Sequence, residues 1–312
     1  LDTIKKIFTT RAIAKYYEKY NKTSKSNDAV CSVCGREHIE VYGFVSTYAF
    51  YTVDKPGMVA GGFDQSEAWK NYPVCESCAL VLEEGKQWLE RNASFNFYGF
   101  DYLLIPKPLW GGLDEARREV YSILEDYKRE GQKVRLTGTY EALLDDTRDE
   151  ILGLLAEKPN TFHCNMLIYT ASQSEFKILR YIEGIYPTDL NRLFDAKKKV
   201  DVSRYIKDTM VPVWENRKKT GDKPLSFDFG SFWYFLRDED QSKYFLNIVN
   251  DVFKNTRVNR QFLIGRIVQH IRRTHANGFS IEEPIMRGMC CLLFLSLIHI
   301  SEPTRPLYIS YA

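Results

Sequence analysis

The sequence predicts an α+β fold: a zinc-binding treble-clef or zinc-ribbon insertion with β-strands at the front, a β-hairpin in the middle and an α-helical C-terminal part. Two Cys-x-x-Cys pairs indicate the zinc-binding element. One alternating apolar stretch indicates the hairpin, and apolar residues at helical spacing indicate the helices. The 312 residues suffice for one large domain or two ordinary ones with real cores.

The charge of the chain is nearly balanced. It has 43 Lys and Arg against 41 Asp and Glu, a formal net charge of +2. This balance argues against a histone-like polycation and an acidic disordered tail, and the aromatic content of 14% argues against disorder. Nucleic-acid binding stays open, because a basic stripe can hide within a neutral total.

Both ends of the chain are unusual. Apolar residues recur every four positions from Ile4 to Tyr16, so we interpret residues 1–30 as the helical end of a truncated N-terminal region. No basic-then-apolar leader is visible, and we expect a cytoplasmic protein with no membrane partner. We interpret residues 291–312 as a non-native, adaptor-derived tail; a buried strand and a membrane anchor are the alternatives, although the apolar run is short for a bilayer.

The first predicted element is a metal site at Cys31, Cys34, Cys75 and Cys78. Zn²⁺ takes four ligands at tetrahedral corners, and each Cys-x-x-Cys turn presents two thiolates from one tight knuckle. Two knuckles fill all four positions, so we expect a structural Zn²⁺ rather than a catalytic one. Disulfides, a redox-active Cys-x-x-Cys and an iron–sulfur cluster are the alternatives.

The zinc-binding α/β region is expected to span residues 31–110. Tyr, Phe, Val and Thr dominate 41–53, which predicts strands after the first knuckle. The second knuckle leads into a predicted helix over 79–89 with one apolar stripe. A further strand is predicted over 95–105, where two prolines follow.

The remainder of the chain is predicted to fall into two parts. Residues 111–187 should hold helices plus the β-hairpin, with helical periodicity over 113–127, a second helix over about 139–156 and alternation over 161–182. Residues 188–290 are predicted to be α-helical.

No common catalytic motif is present in the sequence. It has no phosphate-binding loop of the GxxxxGK[ST] type, no GxSxG nucleophile elbow and no HExxH helix. The triplet Asp228-Phe229-Gly230 matches a kinase motif, but neither a kinase catalytic loop nor a glycine-rich loop accompanies it. We therefore expect no enzymatic activity.

Two basic clusters are candidate contacts for nucleic-acid phosphates. One is a run of three lysines and the other is the basic face of the last predicted helix. The six candidates are Lys197, Lys198, Lys199, Arg266, Arg272 and Arg273. Solubilising surface charge is the alternative for either cluster.

The segments around the cysteine pairs resemble a known family. They are VYGFVST at 41–47, FYTVDKPG at 50–57, GGF at 61–63, AWKNYPVC at 68–75, FNFYGFDYLLIP at 95–106 and KILRYI at 177–182. They are similar to the large subunit of type I-B CRISPR effector (Cascade) complexes, of the Csh type. The resemblance covers about residues 30–275 and is most specific around the cysteine pairs.

The resemblance implies a role in RNA-guided antiviral defence. A protein of this family is expected to assemble with crRNA and the other Cascade subunits, to help bind target DNA beside the guide-paired site, and to recruit the CRISPR helicase-nuclease. Guide pairing reads the sequence in such systems, while the protein contacts the flanking motif and the backbone.

Two other functions compete with this one. A polymerase-like subunit of type III CRISPR systems also carries a paired-cysteine element, but its GGDD motif is absent from this sequence. A freestanding zinc-binding module would bind nucleic acid or protein on its own. A Cascade subunit, in contrast, should need its guide-loaded partners for specific DNA binding.

Overall fold

The computed structural model describes residues 11–19, 21–48, 51–53, 55–60, 63–109, 114–129, 151–172, 175–215, 218–237 and 242–299. Strands and helices are mixed along the chain, which confirms the predicted α+β class. The chain forms two compact units. The first contains Leu1–Arg91 and Tyr169–Ile178, and the second contains Asn92–Ile168 and Leu179–Ala312. The predicted 31–110 region therefore runs past the boundary at Arg91.

The first unit consists of short elements. Its strands are β1 (Glu18–Lys19), β2 (Lys22–Thr23), β3 (Lys25–Ala29) and β4 (Ile39–Tyr42). Two 3₁₀ helices, Pro56–Met58 and Gln65–Lys70, precede helix α1 (Glu76–Asn92). Strands β1 and β2 pair antiparallel, and so do β3 and β4, with an irregularity in the β3–β4 register between Ser26 and Ala29.

The strand predicted over 41–53 ends at Tyr42. Beyond it the backbone leaves the ladder, because Gly43 N donates to Ser24 O at 3.0 Å and Phe44 N donates to Tyr16 O at 2.9 Å. A Cβ atom at Gly43 would collide with the Ser24 hydroxyl and the backbone of Trp69. Glycine is therefore required at this close approach.

Among the described residues of the first unit, buried apolar side chains form three small clusters. They comprise Tyr16, Tyr42, Val45, Val74 and Ala79; Phe44, Val53, Val59 and Ala68; and Cys31, Val41 and Cys75. The third cluster includes two of the candidate metal ligands, so the candidate metal site shares residues with the core of this unit.

A four-stranded sheet accounts for most of the strand content of the second unit. Its strands are β5 (Ser94–Phe97), β6 (Phe100–Pro108), β7 (Phe162–Ala171) and β8 (Phe176–Ile185), in the order β5-β6-β7-β8. The single strand predicted over 95–105 is two strands, because Tyr98 and Gly99 both have positive φ (48° and 83°) and form a tight hairpin turn. The predicted hairpin is present as β7 and β8.

Helices make up most of the rest of the second unit. They are α2 (Asp114–Arg129), α3 (Ile151–Ala156), α4 (Pro187–Asp201), α5 (Gly230–Leu236), α6 (Ser242–Phe253), α7 (Arg260–Ala276) and α8 (Glu282–His299). An antiparallel hairpin of β9 (Met210–Glu215) and β10 (Lys218–Pro224) interrupts the region predicted to be wholly helical. Of the helix predicted over 139–156, positions 139–150 lie outside the described residues.

Large aromatic side chains fill the core of the second unit. The fully buried phenylalanines are Phe97, Phe227, Phe229, Phe232, Phe245, Phe253 and Phe294. The rings of Phe227 and Phe294 stack with centroids 4.0 Å apart, and those of Phe229 and Phe253 lie nearly parallel at 5.9 Å. Such rings bury large apolar areas, and each offset contact adds a further stabilising term.

The last described helix corrects one prediction. Residues 291–299 were expected to lie outside the fold, yet they form the final turns of α8, with Phe294, Leu295 and Ile298 buried in the core. Arg260 Nη2 donates to Leu295 O at 2.9 Å, which anchors the same turn. Residues 300–312 lie outside the described residues, and the adaptor origin of the segment stays a prediction. Among the described helices, none combines the length and apolarity needed to cross a membrane.

Candidate metal centre and basic clusters

The first knuckle, Cys31 to Cys34, follows strand β3. Its turn is closed by two backbone hydrogen bonds of 2.9 Å, from Gly35 N to Cys31 O and from Cys31 N to Arg36 O. Gly35 has a φ of +69°, a left-handed conformation that glycine adopts without strain. The glycine after the second cysteine is thus what lets the chain turn sharply around the metal site.

The second knuckle is positioned by strand β4 and helix α1. Val74 pairs with Tyr42 of β4, since Tyr42 N donates to Val74 O at 2.9 Å. Cys75 lies immediately before α1, and its carbonyl accepts the hydrogen bond of Ala79 N at 2.9 Å. Ser32 N donates to Pro73 O at 2.8 Å and ties the first knuckle directly to the second.

The structure brings the four predicted cysteines together. Their Sγ atoms all lie within 4.8 Å of one another, and those of Cys34 and Cys75 are 3.9 Å apart. Four sulfurs bound to one tetrahedral Zn²⁺ at about 2.3 Å lie about 3.8 Å from each other. Cys31 and Cys75 are buried, Cys78 is half-buried and Cys34 is exposed. All four are free thiols, so the disulfide alternative has no support in this structure.

The charge of the cluster favours a bound cation. Hydrogen bonds from Arg36, through its side chain first and its backbone second, lower the pKa of Cys34 to about 6. Burial, together with hydrogen bonds from neighbouring cysteines, raises the pKa of Cys78 to about 12. One sulfur therefore accepts the negative charge while another keeps its proton, as expected for like charges at close range. A divalent ion would supply the positive charge that lets all four deprotonate.

The donor set of this cluster fits a metal ion. Four sulfur atoms suit Zn²⁺ or iron, and four ligands from the protein leave no coordination position for water or substrate. His38 takes no part in the set, since its Nδ1 lies 2.6 Å from Asp28 Oδ1. Cys164, Cys290 and Cys291 are buried elsewhere, and the four-cysteine group is the one metal-ligating cluster among the described residues.

The lysine run of α4 does not form one surface patch. Lys197 is only 3% exposed, and its Nζ donates to Asp201 Oδ2 at 2.8 Å and to the Ser226 hydroxyl. Its helical position turns it into the core, whereas Lys198 and Lys199 are exposed. The prediction for Lys197 as a phosphate contact is therefore corrected, and that for the other two stays a prediction.

The arginines of α7 are exposed to different degrees. Arg272 and Arg273 are exposed, whereas Arg266 is half-buried and its Nη1 donates to Gln269 Oε1 at 2.9 Å. On the apolar face of α7, Leu263 and Ile267 are buried while Ile264 and Val268 remain about two-fifths exposed. Nucleic-acid binding by this helix stays a prediction.

A groove of about 940 Å³ in the second unit was not foreseen from the sequence. Side chains from β10, α5, α7 and the start of α8 line it, including Lys219, Tyr234, His270 and Arg273. Basic and acidic residues both line it, so it presents no surface of one sign. The β9–β10 hairpin, which was not predicted, forms one wall. Of the lining residues, only Arg273 had been predicted to have a function, as a phosphate contact.

Comparison with known families gives two matches. Residues 28–185 match the model of the central domain of CRISPR-associated protein TM1802, and residues 227–303 match the model of its C-terminal domain. The first match alone covers about half of the chain and includes all four clustered cysteines. No curated protein and no solved structure matches the chain.

Proposed function

Since the chain belongs to the CRISPR-associated protein TM1802 family, we propose that it is a non-catalytic large subunit of an RNA-guided interference complex of the type I-B Cascade kind. In this role it assembles with crRNA and the other Cascade subunits, helps bind target DNA beside the guide-paired site and recruits the helicase-nuclease. The observation that carries the proposal is the pair of family matches, in the order central domain then C-terminal domain.

The metal in this proposal is a structural Zn²⁺ held by Cys31, Cys34, Cys75 and Cys78. Bound there, it supplies a cross-link between the two knuckles and the charge that offsets their thiolates. The protein residues do the rest: strand β4 and the first turn of α1 fix the sulfur positions. A zinc-free but well-folded preparation of the whole chain would contradict this assignment.

The absence of catalysis is the second part of the proposal. A closed set of four cysteine ligands offers no open metal position on which a water or substrate could be activated. Within the described ranges, His, Asp and Glu side chains form no second metal-binding group. The family resemblance assigns cleavage to the recruited helicase-nuclease rather than to this subunit.

Contacts to nucleic acid in the proposal are made to phosphates. Lys198 and Lys199 on α4, and Arg272 and Arg273 on α7, are exposed cations that can contact the backbone of DNA or RNA. Such contacts position a protein without reading sequence. Sequence specificity would then come from guide pairing, as in other RNA-guided systems, where the protein contacts mainly the backbone.

The test is a reconstitution of the effector complex from its subunits and a defined crRNA. We expect tight binding of a target duplex that matches the guide, weak binding of a scrambled duplex, and loss of the tight binding when this chain is omitted. No cleavage should occur until the helicase-nuclease is added. Equal binding with and without the chain would overturn the proposal.

Two other results would identify the competing functions. Tight binding of nucleic acid by the isolated chain, unaffected by guide or partner subunits, would favour a freestanding module. Incorporation of labelled nucleotides by the chain would favour a polymerase-like subunit.

The phosphate contacts can be tested with two variants: one replaces Lys198 and Lys199 by Gln, and the control is Lys197→Met, which changes the buried lysine of the same run. Only the former should reduce the salt dependence of binding.

A further inference from the structure

Arg36 makes an unusual set of contacts for an exposed arginine. It follows Gly35 directly after the first knuckle, and its Nε donates to Cys34 Sγ at 3.3 Å. Its Nη2 donates to Cys75 Sγ at 3.5 Å and to the Ser77 hydroxyl at 2.7 Å. The Ser77 Oγ in turn lies 3.3 Å from Cys75 Sγ. One side chain thus touches a sulfur of each knuckle.

We infer that Arg36 is a positioning residue of the metal centre, which together with Ser77 clamps the two knuckles and slows loss of the ion. The inference rests on the metal part of the proposed function and goes beyond it, because it assigns retention of the metal to a residue that is not a ligand. It makes no use of CRISPR partners or nucleic acid.

The first physical reason is charge. Four thiolates around one divalent cation leave two negative charges in excess, and these oppose retention of the full thiolate set. A guanidinium is charged at every physiological pH and lies within hydrogen-bonding distance of two of the sulfurs. Arg36 therefore offsets part of the excess charge where it is located.

The second reason is geometry. The guanidinium is a rigid planar fork, so its Nε and Nη2 reach Cys34 and Cys75 in one fixed arrangement. Ser77, in the first turn of α1, accepts a second hydrogen bond from the same Nη2 and so fixes that end of the fork. A lysine could offer its charge but not this fork, and outer-shell partners of this kind commonly change metal affinity ten- to a hundredfold.

The contacts also protect the sulfurs chemically. Cys34 is the most exposed ligand, and its sulfur is the one that Arg36 Nε approaches. A hydrogen bond withdraws electron density from a thiolate, which lowers its reactivity toward protons and electrophiles. Arg36 thus contacts the cluster on the side where Cys34 is exposed.

The experiment compares zinc release from the full-length, zinc-loaded chain and four variants. A chromogenic chelator, 4-(2-pyridylazo)resorcinol, reports the rate at which zinc is lost. We expect Arg36→Met to lose zinc about tenfold faster than the unaltered chain, with Arg36→Lys and Ser77→Ala in between. Arg91→Met is the matched control, because Arg91 is exposed in the same unit and its Nε donates to the Gln87 carbonyl instead.

Cobalt substitution gives a spectrum that responds to hydrogen bonds on the sulfurs and not to a general change in the stability of the fold. The thiolate-to-Co²⁺ charge-transfer band should shift to longer wavelength in Arg36→Met, because its sulfurs lose hydrogen bonds, and should be unchanged in Arg91→Met. Release rates and spectra of Arg36→Met equal to those of Arg91→Met would overturn the inference. If Arg36→Met does not fold, unchanged release in both Arg36→Lys and Ser77→Ala overturns it equally.

The outcome separates this inference from the proposed function. An unaltered chain that takes up no zinc would contradict the metal assignment itself. A chain that binds zinc normally, but loses it at the same rate with or without Arg36, would contradict only the role of Arg36. Neither result depends on DNA binding.

Discussion

The two units of the chain are stabilised in different ways. In its described part, the first has strands β1–β4 of two to five residues and three separate apolar clusters, one of which contains the candidate metal ligands Cys31 and Cys75. The second has strands of up to ten residues and a core of fully buried phenylalanines. We therefore expect the first unit to depend on the proposed metal, whereas the second should be stable through packing alone.

Removal of the metal should destabilise the first unit, and this should be the largest of the predicted effects on stability. With Cys75→Ser, or after treatment with a strong chelator, we expect the first unit to lose most of its protected amides, since structural zinc supplies about 10–16 kcal/mol in small domains. Amides of α6 and α7 should keep their protection. Hydrogen exchange resolved by peptide measures both in one sample.

A control for this experiment is Cys164→Ser, which places a hydroxyl in a buried site of the second unit. It should weaken the second unit and leave protection at the knuckles unchanged. Full protection of the knuckle amides in the metal-free chain would show that the apolar clusters suffice, and the contrast between the units would then fail.

Truncation of the aromatic core should have the opposite pattern to metal loss: it should destabilise the second unit and leave metal binding by the first unchanged. Phe294→Ala removes the ring that stacks on Phe227 at 4.0 Å and should cost about 3–5 kcal/mol through the cavity it leaves. Urea unfolding measures the loss, and the zinc content should not change. Phe279→Ala is the control, since that ring is 70% exposed and should cost under about 0.5 kcal/mol. Equal effects of both variants would place Phe294 outside the core.

The buried ion pair of α4 should rank next. Asp201→Ala leaves the Lys197 ammonium buried without its carboxylate and should cost about 3 kcal/mol. Lys197→Met removes the charge itself and should cost less than Asp201→Ala, because a long apolar side chain fits the buried position. Unfolding free energies at pH 7 test the order. A larger loss for Lys197→Met would mean that the ammonium has a role beyond this pair.

A pH effect at Asp228 should be the smallest. Burial raises the pKa of this carboxyl to about 6, although Arg287, Lys197 and Lys223 act in the opposite direction. The folded state therefore binds the proton more tightly, and its stability should fall as the pH rises from about 4 to 6 and level off above that. Asp228→Asn should remove this fall and be more stable by roughly 1–3 kcal/mol at pH 8.

The measurement is the unfolding free energy of both proteins between pH 4 and pH 8. The asparagine Oδ1 can still accept the hydrogen bond that Ser231 N donates at 3.2 Å, so the substitution changes charge more than contacts. Parallel pH profiles for the two proteins would mean that the Asp228 carboxylate is as well stabilised in the fold as in water.

The four-cysteine cluster could be predicted because its signal is local. A Cys-x-x-Cys turn and the glycine at position 35 specify a knuckle whatever surrounds it. The clamp by Arg36 could not be predicted, because it depends on Ser77 being brought beside Arg36 when β4 and α1 meet. The spacing of cysteines in the sequence identifies the candidate ligands, whereas the residues that contact those ligands can be identified only from the tertiary structure.

The errors in the predicted fold have related causes. Pro212 within β9 obscured a strand that the alternation of Val211 and Val213 would otherwise indicate. Aromatic residues beyond Tyr42 resembled a strand, yet their backbone bonds to other segments. Lys197 was taken for a surface residue because a charge run does not reveal which member faces the core. Helical periodicity was the more reliable signal, as over 113–127, where the structure has α2.

The division of the β7–β8 hairpin has a practical consequence for anyone who wishes to express part of this chain. The strand bases belong to the second unit, but the tip, Tyr169–Ile178, belongs to the first, where Phe176 stacks on Tyr169 at 4.4 Å and contacts Tyr48. No single cleavage point separates the units. A fragment that stops at Arg91 lacks the aromatic tip of the hairpin. A fragment that starts at Asn92 contains the tip but lacks Tyr48, which Phe176 contacts. A circular permutant or a two-fragment complementation design should therefore be planned around the hairpin rather than around the end of α1.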